Sequence, residues 1–318
     1  MMNREDHRSE TAGRAAARDA QEFRDPFELS TPDELTSALV FSSPHSGDFY
    51  PKSFLAQTRL DAFTLRRSED ACADRLFRCA EALGAPMLRA AYPRAYLDLN
   101  REPYELDPRM FSEPLPDYAN TRSLRVAAGL GTLPRVVSDA REIYAHKLPV
   151  AEALERVERI YRPYHAALAA LMEQAVATFG VAVLVDCHSM PRLVTHDPKL
   201  GPKSEKRGVD FVIGDRFGSS CDPRLVDIVV SRLVGFSYVV QRNRPYAGGF
   251  ITEHYGKPAV GRHAMQIEVS RDLYVDEATL TPNARFAVVA EHIGAALADL
   301  AQELRRREAA QPSRFAAE

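Results

Sequence analysis

The sequence predicts an α/β layered fold. Runs with the composition of β-strands alternate along the chain with runs of helical periodicity, which is the order of elements typical of this class. The clearest strand covers residues 181–186 (VAVLVD), a short run that is apolar up to its final aspartate and contains three valines. Such a run is typical of a strand buried on both faces near the centre of a sheet.

The elements before this central strand are predicted in order. Residues 39–44 (LVFSSP) are expected to form a strand that runs into a loop, and residues 86–92 and 95–99 are expected to form two more strands. Residues 68–83 carry an apolar stripe at helical spacing, and Ser68 is placed to cap the N-terminus of that helix.

A proline-rich stretch separates these elements from the second half of the chain. Residues 100–135 contain five prolines and little periodicity, and ordered loops of this length are uncommon without a functional role. A helical pattern interrupted at Pro149 and Pro163 then covers residues 141–179. Further strands are expected at 209–214, 236–240 and 265–269, and further helices at 222–234 and 283–308.

No internal repeat and no change of composition divides the chain. We therefore expect a single catalytic domain over residues 26–308. A disordered tail is expected at residues 1–25 and a frayed tail at residues 309–318, because both stretches lack an apolar pattern that could be buried.

The composition excludes several classes of protein. Of 318 residues, 45% are hydrophobic and 27% are charged, which is ordinary for a globular protein. The net charge of −3 argues against a protein that coats nucleic acid or an anionic membrane. No apolar run is long enough for a transmembrane helix, and the first 25 residues lack the apolar core of a secretory signal. The four cysteines do not have the spacing of zinc ligands, and they fit a cytoplasmic protein with reduced thiols.

Polar side chains with catalytic potential follow or end three of the predicted strands. His45 comes just after the strand at 39–44, His188 follows Asp186 at the end of the central strand, and Glu268 lies in the strand at 265–269. Two imidazoles and a carboxylate, with a further carboxylate as base, are the components of a mononuclear catalytic zinc site. Each histidine could instead be a hydrogen-bonded structural residue, whereas a carboxylate inside an apolar strand is costly unless it is paired or functional.

Two more segments suit recognition of an anionic ligand. Arg94 and Arg101 flank the short predicted strand at 95–99, and guanidinium groups bind planar carboxylates in a bidentate manner. The paired glycines Gly248 and Gly249 allow the backbone to approach another group closely. The first segment could otherwise be a salt-bridged strand end, and the second could be only a tight turn.

Five motifs in order resemble those of the N-formylglutamate amidohydrolase family: PHSGDFYP, DLNREPYELDP, DCHSMP, NRPYAGGFITEHYG and QIEVSRDLYVDE. The resemblance runs from about residue 38 to residue 280. DLNR, D-x-H-S and I-E-V also look like the corresponding segments of aspartoacylase and the zinc carboxypeptidases. The resemblance implies a three-layer α/β/α fold of the zinc-carboxypeptidase kind, with a mixed, mostly parallel central sheet.

The resemblance also implies a role for individual residues. His45 and His188 would bind one Zn²⁺ per chain, and Glu268 would be the general base. Arg94 would stabilise the oxyanion. The residues implied in substrate binding are Asn100, Arg101, Arg244 and His254, the last of which could equally be a packed structural histidine.

The third zinc ligand has two candidates. The carboxypeptidase pattern is His-x-x-Glu, and this chain has Asp48 at the corresponding position, one methylene shorter. The amidohydrolase family often carries an aspartate in the following helix instead, which here is Asp70. We prefer Asp70 and keep Asp48 as the alternative.

The resemblance implies a zinc-dependent amidohydrolase that cleaves an N-acyl amino acid. The family's substrate is N-formyl-L-glutamate, which is cleaved to formate and L-glutamate. The expected partner is thus a small acidic N-acyl amino acid, and no feature indicates nucleic acid or a membrane. One alternative is a deacylase or peptidase that acts on another acidic N-acyl amino acid. The other is a metal-free binding protein for acidic ligands, which the presence of both histidines and Glu268 disfavours.

Overall fold

A computed structural model of the chain describes residues 23–195 and 207–310. Its main feature is a sheet of seven strands in the order β1-β3-β2-β6-β11-β9-β10. These strands are β1 Phe27–Ser30, β2 Leu39–Ser43, β3 Met87–Ala90, β6 Ala182–Met190, β9 Phe211–Gly214, β10 Val240–Arg242 and β11 Arg262–Ser270. Three two-stranded ribbons lie outside it: β4 Val136–Val137 with β5 Arg141–Glu142, β7 Leu193–Thr195 with β8 Arg207–Val209, and β12 Val275–Asp276 with β13 Thr281–Pro282.

The sheet is mixed and mostly parallel. Strands β3, β2, β6 and β11 run parallel to one another, whereas β1 pairs with β3 and β9 pairs with β11 in the antiparallel sense. The register places Glu268 of β11 beside His188 of β6, and Gln266 beside Asp186. The carboxyl ends of the four parallel strands therefore meet at one edge of the sheet, where ligands bind in open α/β sheets.

The helices are α1 Lys52–Gln57, α2 Ala62–Arg66, α3 Ala73–Leu76, α4 Cys79–Ala82, α5 Leu124–Ala127, α6 Val150–Arg156, α7 Arg162–Phe179, α8 Pro223–Gly235, α9 Phe250–Tyr255 and α10 Phe286–Ala310. Short 3₁₀ turns lie at Pro108–Met110, Ser138–Ala140, Arg216–Gly218, Pro258–Val260 and Arg271–Leu273.

Helices cover both faces of the sheet. Side chains alternate between the faces along each strand, so Leu184 of β6 lies in a core cluster with α7 and α9, while Val183 and Val185 lie in the cluster on the other face, which contains residues of α8 and α10. All nine residues of β6 are buried. The predicted three-layer α/β/α fold with a mixed, mostly parallel sheet is therefore confirmed.

One long helix crosses the interruption predicted at Pro163. A π-helical turn, Val157–Tyr161, joins α6 to α7 without a break. The helix widens immediately before Pro163, where the proline ring cannot donate the usual backbone hydrogen bond. At the end of the turn, Tyr161 donates to the Arg101 carbonyl at 2.7 Å, and one turn further on Nε2 of His165 lies 2.9 Å from the Leu99 carbonyl.

The helix predicted at residues 68–83 is wrong in its first part. The hydroxyl of Ser68 donates to the Leu65 carbonyl instead of capping a helix, and Cys72 adopts a left-handed conformation. The amide of Asp70 donates to the His45 carbonyl at 3.0 Å. This tertiary contact replaces the first helical turn, so only the short helices α3 and α4 remain.

The strand predicted at residues 95–99 is also wrong. The chain turns after Pro93, whose carbonyl accepts hydrogen bonds from the amides of Tyr96 and Leu97, and the amide of Asp98 donates to the Thr132 carbonyl. The apolar side chains in this stretch are buried outside the sheet, in a core cluster that also contains residues of the long loop 100–135. Pattern alone could not distinguish these two ways of burying the same residues.

The predicted tails fall mostly outside the described residues, which exclude 1–22 and 311–318. Where the chain is described, the backbone of Arg24 already bonds to the hydroxyl of Tyr92, and α10 continues to Ala310. None of the described helices combines the length and the apolar character needed to cross a bilayer.

Candidate metal centre and active-site cleft

Two histidines and an aspartate from three separate parts of the chain meet at the carboxyl edge of the sheet. His45 follows β2, His188 lies near the end of β6, and Asp70 lies in the turn after α2. Oδ2 of Asp70 is 3.0 Å from Nδ1 of His188 and 3.4 Å from Nδ1 of His45. All three residues are buried, and their ligand atoms lie within 4.8 Å of one another.

Each histidine is held on its second ring nitrogen by another carboxylate. Nε2 of His45 is 2.7 Å from Oδ1 of Asp98, and Nε2 of His188 is 2.9 Å from Oδ2 of Asp186. These contacts leave both Nδ1 atoms directed toward Asp70. A carboxylate that orients the far nitrogen of a ligating imidazole is a regular feature of histidine metal sites.

The donor set fits a divalent metal ion. The Nδ1 atom of His45 is buried and has no hydrogen-bond partner among the described residues. A buried polar nitrogen without a partner is costly, and a metal ion would give it one. Two imidazoles and one carboxylate are the ligands that catalytic zinc sites use, with a further position left open.

The charges of the cluster also favour a cation between these side chains. Burial acts to lower the pKa of His188, but Asp186 and Asp70 outweigh it and raise the pKa well above its ordinary value. For Asp70, burial acts in the opposite direction, yet its hydrogen bond with His188 and the nearby charges of the two histidines hold its pKa below the ordinary range. The carboxylates around His188 therefore stabilise positive charge at this position.

Asn100 connects the metal cluster to the glycine turn. Its Nδ2 atom donates to Asp186 at 3.3 Å, and its Oδ1 atom accepts from the amide of Ile251 at 2.8 Å. A Cβ atom on Gly249 would come within 2.3 Å of the Asn100 amide group. The predicted close approach of the glycine backbone to another group is therefore confirmed, and that group is the amide side chain of Asn100.

Arg94 and Arg101 both lie beside Asp98. Nη2 of Arg94 donates to Oδ2 of Asp98 at 2.8 Å, and Nη2 of Arg101 lies 3.5 Å from the same oxygen. Burial acts to raise the pKa of Asp98, but these two guanidinium groups lower it well below its ordinary value. Asp98 is thus a charged carboxylate that orients both His45 and the two arginines.

Glu268 lies beside the cluster without belonging to it. Its Oε1 atom accepts a hydrogen bond from Gln266 at 2.6 Å, and the carboxylate is almost wholly buried. Burial, together with the negative charge of Asp70, raises the pKa of Glu268 to about 8 although His188 and Arg94 oppose the shift. A bound cation would act against this shift. A carboxylate with this environment can accept and return a proton near neutral pH.

An open cleft with two lobes borders these residues. The histidine lobe, of about 340 Å³, is lined by His45, His188, Asn100, Arg101 and Arg125 among others. The second lobe, of about 420 Å³, is lined by Arg67, Arg271, Pro134, Val136, Val137 and Asp139 among others. Both lobes share the residues Asp70, Arg94, Leu130, Ser189, Tyr246 and Glu268.

The structure does not bring three of the predicted site residues into this cleft. Asp48 is 62% exposed and pairs with Arg89 at 3.1 Å. Arg244 is exposed and precedes a cis proline, and His254 is exposed on α9, where it stacks on Phe250. Neither Arg244 nor His254 lines the lobes formed by the described residues, whereas Asp70, Arg94, Asn100 and Arg101 all do.

Several residues of the site were missed by the sequence analysis. They are Asp98 in the DLNR motif, Gln266 in the QIEV motif and Arg125 in the middle of the proline-rich loop. A signal existed for Asp98 and Gln266, because a buried polar side chain two residues from a proposed functional group often orients that group. No local pattern distinguishes Arg125 from the other arginines of its loop.

Similarity to known proteins is extensive. The sequence model of the N-formylglutamate amidohydrolase family matches residues 37–275. The chain is 33% identical over 271 residues to the N-formylglutamate deformylase of Pseudomonas aeruginosa, covering 84% of this chain and 92% of that protein. It is also 33% identical over 209 residues to a Pseudomonas putida protein of the same name, covering 64% of this chain and 68% of that one. The crystal structure of N-formylglutamate amidohydrolase from Ralstonia eutropha superimposes with a TM-score of 0.81 at 37% identity, covering 89% of this chain and all of that one.

Proposed function

The chain belongs to the N-formylglutamate amidohydrolase family, and from that membership we propose that it hydrolyses N-formyl-L-glutamate to formate and L-glutamate in a metal-dependent reaction. The observation that carries the metal dependence is the buried cluster of His45, Asp70 and His188, with its unpartnered Nδ1 atom. The relatives named for this activity make the formyl group the first acyl group to test.

The metal would be Zn²⁺, held by His45, Asp70 and His188. When bound, such an ion lowers the pKa of water and polarises a carbonyl oxygen. Asp98 and Asp186 keep the two imidazoles in the orientation that binding requires.

Glu268 is the proposed general base and acid. It lines both lobes of the cleft, next to His188 in the sheet register, so a substrate amide at the junction of the lobes is within its reach. In its ionised form it accepts a proton from the attacking water, and it then gives that proton to the leaving nitrogen. The Gln266 amide holds the carboxylate in position throughout.

The arginines bind and orient the substrate in this proposal. Arg94 lines both lobes beside Glu268 and faces the site where the formyl oxygen gains negative charge. Arg101 and Asn100 line the histidine lobe and hold the substrate's carboxylates, and Arg125 adds a third cation there. Holding the carboxylates places the amide bond against Glu268.

The direct test is hydrolysis by protein loaded with zinc. Incubation with N-formyl-L-glutamate should release equal amounts of formate and glutamate, and a chelator should stop the reaction. N-formyl-L-leucine serves as a control for the acidic side chain. Tight binding of N-formyl-L-glutamate with no release of formate would instead favour a binding protein for acidic ligands.

We expect Asp70→Ala protein to lose bound zinc and Asp48→Ala protein to keep it. Asp70 contacts His188, whereas Asp48 faces solvent and pairs with Arg89. Elemental analysis of both variants, purified in parallel without chelators, measures the difference, and a melting curve for each confirms that it is folded. Zinc retained by Asp70→Ala and lost by Asp48→Ala would reverse the assignment.

We expect Arg101→Ala to raise KM more than it lowers kcat. The guanidinium is proposed to bind a carboxylate equally in the ground state and the transition state, and loss of such uniform binding appears mainly in KM. Arg122→Ala is the matched control, since Arg122 is an exposed residue of the same loop. If Arg101 serves only to hold Leu130 and Asn100, the melting temperature falls while KM stays unchanged.

A further inference from the structure

Ser189 has no part in the reaction as proposed above, although its side chain contacts a proposed metal ligand. The residue follows His188 on β6, is buried, and lies where the two lobes of the cleft meet. Its hydroxyl donates a hydrogen bond to Oδ1 of Asp70 at 3.0 Å. This bond joins the end of β6 to the turn that carries Asp70.

The two oxygens of the Asp70 carboxylate have different partners. Oδ2 is 3.0 Å from Nδ1 of His188 and 3.4 Å from Nδ1 of His45, so it is the oxygen presented to a metal ion between the imidazoles. Oδ1 accepts from Ser189 instead. The hydrogen bond with Ser189 therefore favours the rotation of the carboxylate in which Oδ2 faces the two histidines.

The other contacts of Asp70 do not fix its carboxylate once a metal is bound. The backbone of Asp70 bonds to the His45 carbonyl and to the hydroxyl of Ser46, and these bonds place the main chain. The terminal torsion of an aspartate side chain is broad and roughly two-fold, so the main chain does not determine it. The contact with His188 uses Nδ1, and that nitrogen cannot bind a proton and a metal ion at once. The hydrogen bond from Ser189 is compatible with both states.

Ser189 completes a set of orienting groups around the cluster. Each of the two imidazoles has a carboxylate on its far nitrogen, from Asp98 or from Asp186. Asp70 has the hydroxyl of Ser189 on its far oxygen. Groups of this kind reduce the conformational freedom that a site loses when it binds metal, and their removal typically weakens metal binding about 10- to 100-fold.

We propose that Ser189 is a positioning residue, whose hydroxyl holds Asp70 so that Oδ2 faces the metal ion. This inference rests on the proposed function, because it concerns the same three ligands. Ser189 acts through Asp70 and takes no part in the bond changes of hydrolysis. Removing the hydroxyl leaves Oδ1 without its donor and lets the carboxylate turn. The affinity for Zn²⁺ then falls although all three ligands are still present.

The test measures Zn²⁺ affinity without substrate, by competition with a chelator of known affinity. We expect Ser189→Ala to bind Zn²⁺ about 10- to 100-fold more weakly than the parent protein. Ser189→Thr keeps the hydroxyl and should bind Zn²⁺ as tightly as the parent. The rise in melting temperature on adding Zn²⁺ should shrink in Ser189→Ala and return in Ser189→Thr, because stabilisation by a bound ion depends on its dissociation constant.

Ser220→Ala is the matched control. Ser220 is also buried, and its hydroxyl donates to the Ala264 carbonyl at 2.9 Å, but it is not among the described residues that line the cleft. This variant loses one buried hydrogen bond, as Ser189→Ala does, so the two metal-free proteins should lose similar stability. The Zn²⁺ affinity of Ser220→Ala should equal that of the parent.

The outcomes separate this inference from the proposed function. If Ser189→Ala binds Zn²⁺ as tightly as the parent, the inference alone is overturned. An equal loss of affinity in Ser189→Thr also overturns it, since the hydroxyl would then not be the cause. A raised KM for N-formyl-L-glutamate with unchanged Zn²⁺ affinity does the same, because Ser189 would then bind substrate. If the parent protein binds no Zn²⁺, the proposed function fails as well.

Discussion

Replacing Glu268 by glutamine is expected to lower kcat on the order of 10²–10⁴-fold, the usual effect of losing a general acid–base residue. Glutamine keeps the shape of the side chain and its place beside Gln266, but it cannot accept a proton at neutral pH. Zinc content should be unchanged, because Glu268 is not among the three clustered ligands. Steady-state kinetics on the zinc-loaded variant measure the loss, and a near-normal kcat would remove Glu268 from the mechanism.

A stability measurement on metal-free protein separates catalysis from folding. The pKa of Glu268 is raised from 4.5 to about 8 by burial. Between these values the unfolded chain has released the proton while the folded chain still holds it, so this group makes the free energy of unfolding fall as pH rises, and the loss is complete above pH 8. Glu268→Gln lacks this titration. The variant should therefore lose less stability than the parent over that pH range, even though it is nearly inactive.

Replacing His188 by alanine is expected to abolish zinc binding and, with it, hydrolysis. The variant lacks one of three ligands and leaves Asp70 and Asp186 without the imidazole that lies between them. The loss of metal affinity should exceed the about 10- to 100-fold that follows removal of a group that only orients a ligand. Elemental analysis and activity in a zinc titration measure both effects.

The matched control for His188→Ala is His146→Ala. His146 is an exposed histidine in the loop before α6, outside both lobes of the cleft. It should keep its zinc content and its activity. Full activity in metal-free His188→Ala would rule out the metal-dependent reaction.

The sequence was most informative for strands that are buried on both faces of the sheet, because almost every residue of such a strand is apolar. The strand containing Val183, Leu184 and Val185 could be predicted because a short apolar run rich in β-branched residues is typical of a central strand that is buried on both faces. Polar residues at the ends of such strands then pointed to one edge of the sheet. This is why His45, His188 and Glu268 could be predicted to lie together.

The parts that could not be predicted depend on contacts between distant segments. Asp70 reaches the histidines because its amide bonds to the His45 carbonyl, and that bond replaces the helix that the local pattern favours. Similarly, Leu97 and Leu99 alternate with polar residues as they would in a strand, yet they are buried outside any strand, in a core cluster that includes residues of the long loop. Arg125 enters the cleft only because that loop folds back over the site.

The π-helical turn at Val157–Tyr161 has a consequence for the carboxylate-binding segment. Each residue advances an α-helix by about 100°, so removing one residue from this turn would rotate all of α7 by that angle relative to α6. His165 would then leave the Leu99 carbonyl, and the phenol of Tyr161 would lose the Arg101 carbonyl. The rotation of α7 about its own axis thus determines where Asn100 and Arg101 lie, although α7 lines neither lobe of the cleft. A single-residue deletion in the turn should therefore change substrate affinity as a point mutation in the cleft does.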